Sequence, residues 1–341
     1  MAKLKDVAAA AGVSMSTASR AISGQGPLSA HAAARVEEAI RALNYRPSSI
    51  GRALASRSIG LVGVFVPALA SPKYGTILQE AEKAVRSAGR HLVVTGGWGE
   101  MSAREQAIHG IRFLIDRDCD GILALSHDLT DDDVAALRQL HGPLVFLDRD
   151  CNESSRVCFS PDHVSGGSLA ARKLIENGHH SVAIVVSRDT QNQAAIEGFR
   201  SELSRSGRCI HELITIAHAP SPEREAALDS LIGRAASYTG IFCDDADIAA
   251  QTVVKLRAAG FLVPTDVSVV AYDYGSAGSW ADVACAYVPL AAMARSAARW
   301  LTNQCYGTSW AIEGDFAIVF VEGSTLAKSS SVRATAKHRS G

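Results

Sequence analysis

The amino-acid sequence predicts an α/β protein: an all-helical N-terminal head followed by two doubly wound parallel-sheet lobes. Three observations carry that expectation. Apolar residues recur at helical spacing through the first 45 positions, where two short segments meet at a glycine. From Ile59 onward, short continuous apolar runs alternate with amphipathic stretches, the pattern of buried parallel strands joined by helices. The charge is also divided: residues 1–57 carry eight Lys/Arg against three Asp/Glu, while the whole chain of 341 residues has a formal net charge of −1. The body is therefore net acidic, and attraction to phosphates is confined to the head.

In the head, Leu4, Val7, Ala8 and Ala11 form a helical stripe that stops at Gly12, where a tight turn favours glycine. Ser14 is placed to cap a second helix running to about Ile22. Residues 24–27 read as a loop. Ser29 then caps a third helix whose expected inner face is Val36, Ile40 and Leu43, and Asn44-Tyr45-Arg46-Pro47 breaks it. Residues 48–55 are helical in pattern but too few to be stable alone, and residues 56–58 read as a linker.

Two short helices around a tight turn make a helix-turn-helix, whose second helix enters the major groove of DNA. Here that helix offers Met15, Ser16, Thr17, Ser19 and Arg20. Arginine donates two hydrogen bonds to guanine O6 and N7, whereas Met15 offers only apolar contact, for example to a thymine methyl. Ser14, Thr17 and Ser23 suit phosphates, and equally suit ordinary helix capping. Arg20 taken alone suits a surface salt bridge better than a base.

In the body, the expected strands are residues 59–66, 92–95, 121–125, 144–147, 182–186, 240–243 and 267–271. Helices are expected near 75–88, 102–116, 131–140, 165–177, 194–206, 223–236 and 248–259. This many strand–helix units requires two sheets. The domain reading is a DNA-binding domain over 1–46, a hinge helix and linker over 47–58, a two-lobed domain over 59–326, and a disordered tail over 327–341. Within the two-lobed domain, one lobe takes about 59–159 with 289–318 and the other 160–288 with 319–326.

These residues resemble the LacI/GalR family of bacterial transcription regulators. In the head the likeness covers the two-helix motif, Ser29, Leu43-Asn44-Tyr45-x-Pro47 and Ile50-Gly51-Arg52-Ala53-Leu54-Ala55. In the body it covers Pro143 to Arg149, Gly178-His179, Asp244-Asp245, Val269 to Asp273, Val288-Pro289 and Gly323-Ser324-Thr325. The resemblance implies lobes like those of a periplasmic binding protein. It places Met15 and Ser16 at variable base-reading positions, with Arg20 further along, and adds Leu4, Lys5, Ser29, Tyr45, Leu54 and Ala55 to the DNA-contacting set. Leu54 would wedge into the minor groove at the centre of a palindromic operator and kink it. Two such helices, one from each protomer, must pack together, so a homodimer is expected. Lys3 stands where the family usually has threonine, which weakens one cap and adds a cation.

Two lobes joined by three crossovers leave a cleft at the carboxyl ends of their strands, where α/β sheets bind ligands. Asp148, Asp244 and Asp273 stand at strand ends, and ionised carboxylates accept from hydroxyls such as those of a sugar. Tyr74, Trp98 and Trp280 suit either an apolar face for a sugar ring or packing between lobes. The family's pocket arginine, three residues before Gly198-Phe199, is here Ala195, leaving Gln191, Asn192 and Gln193 as neutral donors. The expected effector is a neutral sugar or glycoside, and the expected function a ligand-controlled repressor. The alternative is a solute-binding or sensor protein of the same lobe fold without gene-specific DNA binding.

No GxSxG, P-loop or GxGxxG pattern is present, so an enzyme is not expected, nor a cofactor. Asp131-Asp132-Asp133 after Thr130 suits a helix N-terminus better than a metal, and His179-His180 lacks zinc spacing. Seven scattered cysteines without a CxxC pair read as buried thiols in a reducing cytoplasm. The N-terminus lacks a signal-peptide core and no apolar run spans a bilayer, so neither export nor a membrane partner is expected. Without apolar heptads in the tail, a dimer is expected and not a coiled-coil tetramer.

Overall fold

Helix α1 (Leu4–Ala11) buries Val7, Ala8 and Ala11 and ends at Gly12, whose φ of 59° is the left-handed conformation glycine adopts without strain. Helix α2 (Met15–Ser23) follows, and α3 (Ala30–Ala42) starts at Ser29, whose hydroxyl accepts from the Ala32 N–H at 3.2 Å. Together they close a small core of Val7, Ala8, Ala11, Ala18, Val36 and Ala39, with Leu4, Ile40 and Tyr45 packed against it. Leu43 departs from the expected inner face. The helix ends at Ala42, so Leu43 sits at its C-cap, exposed, and Ala39 takes the buried position. This computed structural model describes residues 2–23, 27–45, 58–69, 72–149, 157–188, 192–217, 221–273 and 282–329. The expected hinge helix with Leu54 and Ala55, and the loop carrying Trp280, lie outside these residues.

The chain divides into two units: Met1–Ala68, Ala81–Val145 and Ala298–Trp310 in the first, and Leu69–Glu80, Phe146–Ala297 and Ala311–Gly341 in the second. The first parallel sheet is built by β1 (Leu61–Val66), α4 (Pro72–Ser87), β2 (His91–Gly96), α5 (Ala103–Ile115), β3 (Gly121–Leu125), α6 (Asp131–Leu140), β4 (Leu144–Leu147) and β5 (Cys158–Phe159). Its strand order is β2-β1-β3-β4-β5. The strands β3 and β4 are buried along their whole length, as strands covered on both faces must be.

The second sheet follows with α7 (His163–Glu176), β6 (Ser181–Ser187), α8 (Gln193–Arg205), β7 (Cys209–Ile216), α9 (Pro222–Gly233), β8 (Gly240–Cys243), α10 (Ala246–Ala258), β9 (Ser268–Asp273) and β10 (Ala284–Tyr287). A long helix α11 (Leu290–Tyr306) and a short strand β11 (Val319–Val321) complete the chain. The order is β11-β10-β9-β8-β6-β7, parallel throughout except that β11 runs antiparallel to β10. Glycines let α7 and α8 touch: a Cβ on Gly167 would stand 1.8 Å from the Ala195 carbonyl oxygen, and one on Gly198 2.0 Å from that of Val164. Between α8 and the sheet, the Phe199 and Phe242 rings stack with centroids 4.1 Å apart.

Strands β5, β7, β10 and β11 and helix α11 were not expected from the sequence. Strand β1 begins at Leu61 and not at Ile59, because the Ile59 and Gly60 N–H groups turn to the Asp120 carboxylate at 2.9 and 2.8 Å. The tail is not disordered from residue 327. Ala327 accepts from His179 Nε2 at 3.0 Å, and the Ser329 N–H donates to the Asn177 carbonyl at 2.7 Å. Cys158 is disulfide-bonded, against the expectation of thiols throughout. Cys119, Cys243, Cys285 and Cys305 are free. Burial pushes the Cys119 thiol up to about 11 and that of Cys305 up to about 12, so both stay protonated and unreactive near neutral pH.

Candidate DNA interface and ligand site

The head presents a polar face because its apolar face is consumed by its core. Ala18 is fully buried, and that orients α2 so that Met15 is 57 % exposed with Ser16 and Arg20 beside it on the surface. Thr17 and Ser19 are half-buried. The Ser14 hydroxyl accepts from the Thr17 N–H at 3.1 Å and lies 2.8 Å from both Ser16 Oγ and Thr17 Oγ1. The capping role of this serine is therefore realised, and its hydroxyl also joins those of Ser16 and Thr17 in a row at the start of the helix. Lys5 and Ser29 are exposed on the same domain, whereas Leu4 and Tyr45 are half-buried against the core and act first as packing residues. The Ser23 side chain, Leu54 and Ala55 lie outside what the structure describes. Lys3 has no acceptor to offer α1, and the cap is made the other way, by the Lys3 N–H donating to Asp6 Oδ2 at 2.8 Å.

Where the chain passes from head to body, Asp120 gathers it in. Its carboxylate accepts from Ser58 Oγ at 2.6 Å, from the Ile59 and Gly60 N–H groups, and from the Tyr306 hydroxyl at 2.8 Å. Burial, and then the bond to Asp120, raises the Tyr306 phenol well above its ordinary value, so it remains a donor. Sequence reading missed this residue, since an acid preceding a strand carries no local mark of long-range partners.

In the second unit the sequence-predicted carboxylates sit at strand ends as expected, but their surroundings differ. Asp148 follows β4 at φ 56°, is almost fully buried, and lies 3.0 Å from His163 Nε2. His163 Nδ1 in turn lies 2.7 Å from the Tyr272 hydroxyl, so a carboxylate, an imidazole and a phenol form one buried row. Asp244 follows β8 and accepts from the Ser187 N–H with both oxygens at 3.0 Å, while its carbonyl accepts from Asn192 Nδ2 at 2.7 Å. The Ser187 hydroxyl is buried with no hydrogen-bond partner among the described residues. His163, Ser187 and Tyr272 were missed in the sequence. Tyr272 had a usable signal, standing one residue before the end of its strand.

The other predicted ligand residues are more scattered. Gln193 opens α8 and is exposed. Tyr74 is buried on α4, and Trp98 stands in the first unit 87 % exposed. The side chain of Asp273, and Trp280, lie outside the described residues. Ala195 is fully buried on α8, with its carbonyl against Gly167. The acidic run is a helix start: Thr130 caps α6, and Asp133 returns the bond and accepts from Arg104 Nε and Nη2 at 2.7 and 2.6 Å. Among the described residues no group of His, Cys, Asp and Glu could hold a metal, and no helix is long and apolar enough to cross a membrane.

Residues 3–48 match the bacterial regulatory proteins of the lacI family, and residues 171–322 match a periplasmic binding protein-like domain. The chain is 30 % identical over 272 residues to the sucrose operon repressor of Lactococcus lactis, covering 76 % of this chain and 83 % of that one. The chain belongs to the LacI family. It is 28 % identical over 276 residues to the transcriptional regulator GalR of Escherichia coli, covering 80 % of each. A LacI-family regulator structure from Burkholderia phymatum matches at 38 % identity and TM-score 0.72, covering 79 % of this chain and 99 % of that one. The Lac repressor dimer bound to operator and an anti-inducer shares the fold at TM-score 0.81 and 21 % identity, covering 96 % and 99 %. This LacI-family chain is thus a DNA-binding transcriptional regulator with an effector-binding α/β body, and not an enzyme.

Proposed function

We propose that the chain is a cytoplasmic repressor that binds a palindromic operator as a homodimer and releases or holds it in response to a neutral sugar or glycoside. The observation that carries the DNA half is the exposure of Met15, Ser16 and Arg20 on a helix locked from behind by Ala18. In this reading Met15, Ser16, Ser19 and Arg20 face base edges, while Leu4, Lys5, Ser14, Thr17, Ser23, Ser29 and Tyr45 position the head on the backbone. Leu54 and Ala55, on a hinge within residues 47–58, enter the minor groove. The boundaries proposed are residues 1–46 for the head and 59–326 for the body.

The effector half rests on Asp148, Asp244 and Asp273 at strand ends, with Asn192 and Gln193 as neutral donors and Tyr74, Trp98 and Trp280 as apolar faces. The row from Asp148 to Tyr272 alternates acceptors and donors, which suits hydroxyls. Named relatives support the class of ligand: one represses a sucrose operon, and a regulator named CelR is solved with cellobiose at 24 % identity.

Gel shifts of the full chain on palindromic fragments test the first half, with a steep fall in affinity as salt rises. Equal affinity for scrambled fragments refutes it. Thermal unfolding against a panel of free sugars tests the second half, because a ligand of the folded state raises the melting temperature. Tight calorimetric binding of sugar phosphates that persists in an Arg200→Ala/Arg208→Ala variant, without binding of free sugars, refutes a neutral effector. Sedimentation that gives a tetramer overturns the dimer.

A further inference from the structure

The second unit carries a groove of about 690 Å³ along the C-terminal half of α8 and the start of β7, away from the strand ends. Its lining includes Arg200, Ser201, Ser204, Arg205, Arg208 and Ile210. We infer that this groove is a second binding site, for a phosphate-bearing small molecule.

The sequence spacing brings the groove's residues together. Positions 200, 201, 204, 205 and 208 recur at steps of three and four, one face of a helix carried past its end. The single carboxylate beneath them is already neutralised: buried Glu202 pairs with Arg205 and lies 3.7 Å from Arg172. Arg208 gives one nitrogen to the His179 carbonyl at 3.2 Å, which holds its guanidinium in place and leaves the other N–H groups to the groove. Arg200 is exposed and makes no ion pair or hydrogen bond among the described residues, not even with Glu197 one turn earlier. With Arg205 matched by Glu202, Arg200 and Arg208 are left as the groove's unbalanced cations beside the two serine hydroxyls.

Capping of α8 does not account for them. The last carbonyls of that helix are taken by backbone donors: Ser206 to Glu202 and Leu203, Gly207 to Ser204, and Arg208 to Leu203. The arginine side chains make no described bond to those carbonyls. The body as a whole is net acidic, so general attraction to polyanions does not explain a local cationic groove either. Planar guanidinium forks match phosphate oxygens two at a time, hydroxyls complete the shell, and the volume lies in the range of small-molecule sites.

The test uses the full chain, with inorganic phosphate and pyrophosphate as probes against sodium chloride of equal ionic strength. Wild type is expected to show a saturable rise in melting temperature of roughly 2–5 °C with either probe. The double variant Arg200→Ala/Arg208→Ala should lose that rise while melting normally in chloride. Arg205 is left in place because it pairs with buried Glu202. Ser204→Glu, exposed on the same face, is the second variant and should give the same loss by placing a carboxylate in the groove. A rise no larger than that in chloride, or one undiminished in both variants, overturns the inference. So does a groove whose arginines change only the salt slope of DNA binding. A hexose 6-phosphate arm separates the sources: binding tighter than inorganic phosphate and lost in the variants marks a phosphate ester, and equal affinity marks the free ion. Hexose phosphate binding untouched by either variant belongs elsewhere and overturns the groove, and an unchanged response to free sugars then leaves the strand-end reading standing.

Discussion

Replacing Asp120 by alanine removes four hydrogen bonds at once, from Ser58 Oγ, the Ile59 and Gly60 N–H groups and the Tyr306 hydroxyl. A hydrogen bond to a charged group contributes about 1.5–3 kcal/mol when well buried. One half-buried carboxylate shared among four donors yields less than the sum, and about 2–4 kcal/mol is the expected loss of stability. Asparagine is not a mild replacement, because all four partners are donors. Three of them meet Oδ2 and one meets Oδ1, so an amide keeping its oxygen at the Oδ2 position still turns N–H groups toward Ile59. Asp120→Asn should therefore fall between, at about 1–2 kcal/mol, and Tyr306→Phe should cost about 0.5–1.5 kcal/mol. Urea unfolding of the full chain measures all three. Residues 58–60 also follow directly on the linker from the head, so their release must be reversed when operator binds. Ordering one residue costs about 1–2 kcal/mol, enough for roughly a tenfold loss of operator affinity in a gel shift. An Asp120→Ala variant with both the wild-type urea midpoint and wild-type operator affinity refutes the anchoring role.

The helix contact at Gly198 leaves no room for a methyl group, so Gly198→Ala should destabilise by about 1–3 kcal/mol or more, whereas Gly233→Ala, with nothing within 4 Å, should be near neutral. Calorimetry that ranks them the other way would contradict the close approach of α7 and α8. Burial lowers the His179 imidazole from its ordinary 6.5, so the folded state resists the proton that the unfolded chain accepts. The stability due to neutral His179 is present above pH 6.5 and declines as pH falls through and below that value; His179→Gln should flatten a urea-midpoint profile between pH 7 and 5, and an unchanged slope counts against it. Arg20→Ala should weaken binding to the cognate operator by about 1–3 kcal/mol while non-specific binding changes little. Equal losses on both fragments would make Arg20 a phosphate contact.

Much of the fold was legible because it is written locally. The stripe Leu4, Val7, Ala8, Ala11, the caps Ser14 and Ser29 and the acidic helix start at Asp131 act within one helical turn, and each formed as read. Strands β3, β4 and β8 were legible for the same reason, since a strand buried on both faces is an unbroken apolar run. Strand β7 was not, because at the sheet edge its burial alternates and His211 and Glu212 interrupt the run. Leu43 showed the limit of periodicity, which extends a stripe past the point where the backbone turns away.

The sequence alone determined the class of this protein, since a capped helix pair with a polar outer face and a succession of apolar strands specify a DNA-reading head on an α/β body. It also placed Asp148, Asp244 and Asp273, because the carboxyl end of a parallel strand is a position along the chain. Tertiary structure decided what those residues meet. Asp148 and Tyr272 are joined through His163, and Asp244 is held by Ser187, 57 residues away. Asp120 is tied to Tyr306 across 186 residues. Hydrogen bonds reach about 3 Å, so which donors come within that reach is set by how strands are ordered in the sheets and how helices close on them, and no local run of residues records it.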